Sequence, residues 1–294
     1  MPGARPGARV RADQLAVDRG LARSRSEAQA LLLAGAIHLE GGDSRRLTAG
    51  QRLDPDARLV RVPGPSWASR GAEKLLAALD AFELDVAGAI CLDAGASTGG
   101  FTDVLLRHGA RRVYAVDVGH GQLLPRLATN ERVVVMDRTN LRTLPTLPEP
   151  VDLATLDLSF ISLRLVLGQV RSLLDPDGQI VALVKPQFEA GRQDVPRGGV
   201  VRDPSVHRRV LVQFAADAAS AGLEPIGLVP SPRTGREGNR EFLALLRSVV
   251  EAEDLSDGRA SERHPKAPPW DNLVVQAVSG SGVPSQGRRS RITI

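Results

Sequence analysis

The stretch DAGASTGGF, residues 93–101, decides the fold. A short apolar run over 89–92 precedes it, and a helix-forming segment follows to about His108. That order is the pattern of a buried strand turning into a helix through glycines. Glycine removes the side chain that would keep a ligand away from the backbone, and the opening N–H groups of the helix face outward. Such a turn cradles a nucleoside cofactor. The spacing is not the G-x-G-x-x-G of dinucleotide enzymes. Gly95, Ser97, Gly99 and Gly100 are the candidate cofactor contacts, and Asp93 is placed to take an ammonium group.

Two more acids extend this site. Asp117 ends the next strand, predicted over 112–117, where an acid grips ribose hydroxyls. Asp137 follows a third strand over 133–136, placed to accept from an adenine amine. Each acid alone reads equally well as an ordinary strand-end or turn residue. Three at consecutive strand ends suit S-adenosylmethionine, whose amino group, ribose and adenine all offer donors. None of these motifs asks for a metal.

Farther along, strands are predicted over 152–157, 180–184, 226–229 and 242–246, with helices over 163–173 and 205–220. Asp175-Pro176-Asp177-Gly178 reads as the turn closing the first of these helices. Apolar strands alternating with helices predict an α/β fold, a mostly parallel sheet covered on both faces. Four chemistry-bearing residues fall around it: Lys74 before the first strand, Asp157 and Lys185 at strand ends, and Glu241 opening the last strand. The last strand should be antiparallel. A sulfonium supplies its own reactive carbon, so the protein must position an acceptor and manage one proton. A lysine serves as base once burial or a neighbouring cation lowers its pKa, and acids orient the amines. Taken singly, each of the four reads as a surface charge or an ordinary ion pair.

A small module precedes this domain. Residues 1–10 are rich in Pro, Gly and Arg and read as disordered. A short helix is predicted over 11–19, with Leu15 and Val17 inward. Ser24-Arg25-Ser26-Glu27 forms a capping box for a second helix that Gly35 ends. Strands over 37–40 and 58–62 flank a turn at Gly41-Gly42. Arg11, Arg19, Arg23 and Arg25 cluster on the two helices. They read either as a solvated face or as contacts that hold RNA phosphates. Residues 63–69 form a linker, 70–250 the α/β domain, and 251–294 a polar, disordered tail.

The 294 residues are 42% hydrophobic but only 3% aromatic, so the core must be Leu, Val and Ala. The net charge of +4 and a pI near 9.9 lean modestly toward a polyanionic partner. The single cysteine, Cys91, sits in an apolar run and reads as a buried thiol. No apolar stretch approaches the ~20 residues that span a bilayer, and the N-terminus lacks a secretory apolar region. A cytoplasmic protein is expected.

The words SRGAEKL, DAGASTGGF, VDVGHGQL, DLSFISL, VKPQFE, GGVVRD and GNRE occur in that order. Together they resemble the ribosomal RNA 2′-O-methyltransferase family called TlyA or hemolysin A, within the FtsJ-like group. LARSRSEAQALLLAGAIHLEG resembles the S4-type RNA-binding module, over about residues 11–62. The resemblance implies a Rossmann-like class I methyltransferase behind an S4-like module, with Lys74, Asp157, Lys185 and Glu241 as its catalytic tetrad. It implies methyl transfer from S-adenosylmethionine to a cytidine 2′-hydroxyl of 16S or 23S ribosomal RNA, with Arg11, Arg23 and Arg25 contacting RNA. Three stretches depart from the family pattern: Pro65-Ser66-Trp67-Ala68, the charged loop 233–238, and the tail after about Asp254. Two other readings stand beside this one. A membrane-lytic protein would need a spanning or amphipathic segment and an export signal. An S4-type binder with an inactive methyltransferase fold would not need all four tetrad positions filled.

Overall fold

Hydrophobic strands of period two and helices of period 3.6 assemble around one seven-stranded sheet. The computed structural model describes residues 9–40, 47–61, 67–235, 237–249 and 269–280. The N-terminal module holds β1 (Val10–Arg11), α1 (Ala12–Asp18), α2 (Arg25–Ala34), β2 (Ile37–Leu39), β3 (Arg52–Leu53) and β4 (Leu59–Arg61). Then come α3 (Ala72–Ala81), β5 (Ile90–Ala94), α4 (Gly100–Arg107), β6 (Arg112–Val116), α5 (Pro125–Ala128) and β7 (Val133–Met136). They are followed by β8 (Val151–Leu156), α6 (Leu167–Arg171), β9 (Leu174–Val184), α7 (Pro186–Glu189), α8 (Pro204–Ser220), β10 (Leu223–Pro230), β11 (Phe242–Ser248) and α9 (Trp270–Ser279).

The large sheet runs β10-β11-β9-β8-β5-β6-β7. Its β5–β9 part is parallel, while β11 lies antiparallel to both β9 and β10. The expected antiparallel last strand is present. Period two divides each central strand between two cores. Leu92, Tyr114, Leu156 and Ile180 pack on one face; Cys91, Val113, Leu153 and Val181 pack on the other. Burial pushes the Cys91 thiol up to about 12, as suits an inert packing residue. The chain lays β6 and β7 on one side of β5 and then crosses to place β8 on the other. That reversal opens a crevice at the C-terminal ends of β5 and β8, where ligands bind in open α/β sheets.

Three expectations change. Asp175-Gly178 does not end a helix; it lies inside β9, bulged out between the pairs Val151–Leu174 and Leu153–Gln179. The Asp177 N–H still bonds the Asp175 side chain, so the turn chemistry holds while the strand resumes beyond it. The helix expected over 163–173 splits into a 3-10 turn at Leu163–Leu165 and α6, both burying leucines in the same core. The tail contains α9, which buries Val274 and Ala277 against the domain. The Trp270 indole N–H donates to the Leu211 carbonyl, and the Arg240 guanidinium bonds the Ala277 and Val278 carbonyls at the helix end.

In the small module β1 pairs with β3 and β2 with β4, around a core that includes Leu15, Leu32 and Ile37. Val10 is thus in a strand rather than in a disordered arm. The Ser24 hydroxyl accepts from the Glu27 N–H, but Glu27 reaches back one residue farther than a capping box, to the Arg23 N–H. Gly35 ends α2 at φ 72°, the left-handed region that favours glycine. The expectations for residues 1–8, the Gly41-Gly42 turn, the linker at 63–66 and the tail at 251–268 and 281–294 lie outside the described residues.

Candidate active site

All four candidate catalytic residues line one cleft of about 840 Å³ at the C-terminal sheet edge. β8 ends at Leu156, so Asp157 emerges at that edge; β9 ends at Val184 and delivers Lys185 beside it. The two are adjacent parallel strands, and the side chains meet as an ion pair at 2.6 Å. Lys185 Nζ also donates to the Leu158 carbonyl at 2.8 Å and the Ser159 hydroxyl at 3.1 Å. Three acceptors match the three N–H bonds of an ammonium. Across the cleft, Lys74 of α3 pairs with Glu241 at 2.5 Å, ahead of the antiparallel β11. Glu241 and Lys185 are buried, while their partners Lys74 and Asp157 remain partly open to the cleft.

The loop that carries Glu241 is braced from two sides. The Asn239 side chain is buried; its oxygen accepts from the Val201 N–H and its amide donates to the Gly199 carbonyl. This joins the GGVVRD and GNRE words, a pairing invisible in their separate stretches. A second ion pair, Arg233–Glu73, runs from the same loop to α3. At the mouth stand Phe160, 91% exposed with φ 63°, and Phe188, with ring centres 5.1 Å apart. A bulky residue at positive φ, with its ring in water, costs free energy that the fold alone does not explain. The signals for both rings were the DLSFISL and VKPQFE words, which sequence reading used only for Asp157 and Lys185.

The glycine turn behaves differently from its reading as a pure ligand cradle. A side chain at Gly95 would sit 2.5 Å from the Asp157 carbonyl oxygen, and one at Gly100 would strike Ser69. These glycines first let strand ends and α3 close on one another. Gly95 and Gly99 take φ 86° and 93°, and Ser97 takes 48°. Gly95, Ser97 and Gly100 line the cleft; Gly99 is covered by Leu123 and Leu127. Asp93 is buried at its floor, accepting from the Thr102 N–H and hydroxyl at 2.8 and 2.6 Å. Burial raises its pKa to about 7, against the opposing pull of these bonds.

Asp117 and Asp137 stand outside the lining of this cleft. Asp117 accepts from the Ser97 and Gly119 N–H groups, and Asp137 from the Gly121 N–H. Both acids therefore shape the 118–121 loop beside the glycine turn. The Gly121 carbonyl accepts from the Ser26 hydroxyl of the N-terminal module at 2.7 Å. In that module Arg11 and Arg25 converge on buried Asp13, while Arg23 lies exposed on the helix approach. The Trp67 end of the linker is fixed too: the Ala68 N–H bonds Asp103 of α4, and the Arg107 guanidinium lies 4.4 Å over the indole.

The family of FtsJ-like methyltransferases matches residues 67–248, which holds the whole sheet and all four cleft residues. The chain is 46% identical over 247 residues to the 16S/23S rRNA (cytidine-2′-O)-methyltransferase TlyA of Mycobacterium tuberculosis, covering 83% of this chain and 91% of that one. The chain belongs to the TlyA family of FtsJ-like methyltransferases. YqxC of Bacillus subtilis, provisionally named an rRNA methyltransferase, is 46% identical over 244 residues, covering 80% of this chain and 85% of the relative. A solved structure from Streptococcus thermophilus, provisionally named a hemolysin, superposes with a TM-score of 0.66 at 37% identity, covering 92% and 96%. Like other TlyA-family chains this one is an enzyme, and its methyl donor is S-adenosylmethionine. The residues present are compatible with that donor: Asp93, a buried acid able to meet an amino group, lines the same cleft as Lys74, Asp157, Lys185 and Glu241.

Proposed function

We propose that this enzyme methylates the 2′-hydroxyl of a cytidine in ribosomal RNA of the small or large subunit, with Lys74, Asp157, Lys185 and Glu241 as its catalytic tetrad. The observation that carries the reading is the convergence of two lysine–carboxylate pairs on one cleft beside the glycine turn. S-adenosylmethionine, when bound, supplies an electrophilic methyl group. Asp93, Gly95, Ser97 and Gly100 hold it from the cleft side, with Gly99, Asp117 and Asp137 shaping the neighbouring loop.

A ribose hydroxyl attacks well only as its proton leaves. Lys185 accepts that proton. A neutral amine keeps two N–H donors, enough for Asp157 and the Leu158 carbonyl. Its lone pair then faces the side of the Ser159 hydroxyl, the longest of its three contacts at 3.1 Å. The Lys74 charge, held by Glu241, stabilises the developing alkoxide from across the cleft. Phe160 and Phe188 offer a stacking face for a base taken out of its helix. The S4-like module captures RNA by its phosphates, with Arg23 free to reach them and Arg11 and Arg25 presenting the N–H groups that Asp13 leaves unused.

The hemolysin reading finds less support: among the described residues no helix is long and apolar enough to cross a membrane. The test is incubation of purified enzyme and labelled S-adenosylmethionine with isolated 30S and 50S subunits, followed by ribose-methylation mapping. Label at a cytidine 2′-hydroxyl supports the reading. Label only on a base, on protein, or nowhere refutes it.

A further inference from the structure

The VKPQFE word ends in a carboxylate that the proposed chemistry does not use. Glu189 closes α7, four residues beyond Lys185. One of its oxygens accepts from the Ser162 hydroxyl at 2.6 Å, the other from the Leu163 N–H at 2.9 Å. Ser162 and Leu163 sit at the far end of the loop that begins with Asp157. That same loop supplies the Leu158 carbonyl and Ser159 hydroxyl to Lys185, and it carries Phe160 at positive φ.

We propose that Glu189 is a positioning residue, clamping the 158–163 loop to α7 so that the acceptors around Lys185 and the Phe160 ring are held ready for substrate. The inference rests on the reading of Lys185 and Asp157 as catalytic.

The geometry favours a clamp over a packing role. Two segments leave adjacent strand ends, and cross-links join them along their length: Lys185 to Asp157, Leu158 and Ser159, Phe188 to Phe160, and Glu189 to Ser162 and Leu163. Glu189 supplies the distal one. Without it, the loop is tied through one ring contact, Phe188 to Phe160, and through the lysine that must exchange partners during turnover. Behind the carboxylate lies a cavity of about 240 Å³, lined also by Arg164, Gln213, Phe214 and Asp217. The side chain therefore borders open space rather than filling the core. Burial raises the Glu189 pKa, opposed by the Ser162 and Leu163 bonds. Holding an acid in such a place is costly unless its two bonds matter.

The test uses the full chain and compares Glu189→Ala, Glu189→Gln, Ser162→Ala and Lys185→Ala. Glu189→Ala should lower kcat on isolated subunits by about ten- to a hundredfold, the scale of a small misplacement of reacting groups. KM for subunits and affinity for S-adenosylmethionine should stay within about twofold, because neither ligand loses a direct contact. Hydrogen exchange across residues 158–164 should quicken, and the melting temperature should hold. Glu189→Gln, which keeps an acceptor for the Leu163 N–H, should recover most of kcat. Ser162→Ala, which removes one bond and leaves the carboxylate, should fall between. If Lys185→Ala is dead while Glu189→Ala and Ser162→Ala turn over normally, the clamp is wrong and the catalytic reading stands. A Glu189→Ala protein that melts early and loses kcat and cofactor affinity together, with no deficit in Ser162→Ala, makes Glu189 merely structural. If Lys185→Ala is active, the catalytic reading falls and the clamp's purpose with it.

Discussion

The cleft and the N-terminal module both join basic side chains to acids, and they do so in opposite ways. In the cleft the lysines are enclosed: side-chain exposure is 8% for Lys185 and 13% for Lys74. In the module the acid is enclosed and the bases are not. Asp13 is fully buried, while Arg11 and Arg25 are 45% and 53% exposed. Lys185 has three donors and three acceptors, so no N–H is left over. Each guanidinium has five donors and gives Asp13 at most two, so the remainder point to solvent. On the proposed function, one arrangement encloses a reactive nitrogen, and the other holds cations at the surface where an anion can reach them. The first should be broken by any change at the nitrogen, the second only in degree.

Lys185→Ala is the most severe break. Turnover on ribosomal subunits should fall by about 10³-fold or more, within the range of a lost general base together with its electrostatics. Affinity for S-adenosylmethionine, measured by calorimetry, should remain near wild type. Lys185→Arg sharpens the point, because a guanidinium keeps the charge and cannot give up its proton. An active arginine variant would show that charge, not proton transfer, is what the site needs.

Asp93 offers a pH test of the cofactor side. Its pKa is raised from the ordinary 3.8 to about 7. Between those values the folded chain keeps a proton that the unfolded chain has released, so this residue's contribution to stability declines as pH rises through the window. A bound ammonium reverses the preference by favouring the carboxylate. Cofactor affinity should therefore climb between pH 5.5 and 7, by up to about tenfold per unit, below the range where the ligand amine itself loses its proton. Asp93→Asn should flatten the climb. A wild-type affinity that stays level over this range would remove Asp93 from contact with the amine.

Much of the α/β domain was legible because its signals are local. Strand runs such as 133–136, the glycine turn and the ends at Asp157 and Lys185 each read from a few neighbouring residues. The meeting of Asp157 and Lys185 was legible because adjacent parallel strands deliver their ends to one edge. What failed depended on distant partners. Asn239 joins two loops nearly forty residues apart, and nothing in GNRE reveals Gly199 as its partner. Gly95 read as room for a ligand, and its second duty, making room for the Asp157 carbonyl, is set by the sheet and could not be read locally. The arginines read as free cations because Asp13 counts as one more surface acid until α1 and α2 pack. Helix α9 did carry a signal, Trp270, Leu273, Val274 and Ala277 at helical spacing, but a polar setting hid it.

The module's own network predicts a smaller effect. Asp13 accepts from Arg11, Arg25, Gln29 and the Gln14 N–H, and the Arg11 guanidinium beside it holds its pKa well below the ordinary 3.8. A depressed folded value means stabilisation that is present above the unfolded pKa and is lost as pH falls through the folded one. Asp13→Asn should destabilise the protein by about 1–2 kcal/mol at pH 7, discounted for the exposure of both arginines. In melts at stepwise lower pH the gap between variant and wild type should start to narrow below about pH 4 and keep shrinking as pH falls toward the depressed folded pKa. A gap that persists there would mean that the amide harms packing rather than charge.

The gentlest test concerns RNA capture, and the structure changes which residue should carry it. Arg25→Glu would set a second carboxylate against buried Asp13, so weaker RNA binding could follow from a damaged module. Arg23 avoids this. Among the described residues its side chain has no ion pair, and only its backbone N–H serves the helix cap, through Glu27. Arg23→Gln should leave thermal stability and cofactor affinity unchanged. Binding to isolated subunits should weaken a few-fold, and the slope of log affinity against log salt should flatten by roughly one unit, the signature of one lost phosphate contact. Arg25→Gln should flatten the slope less, since part of its guanidinium already faces Asp13. Equal slopes for wild type and both variants would leave these arginines as a solvated face, and would move RNA capture to another surface of the enzyme.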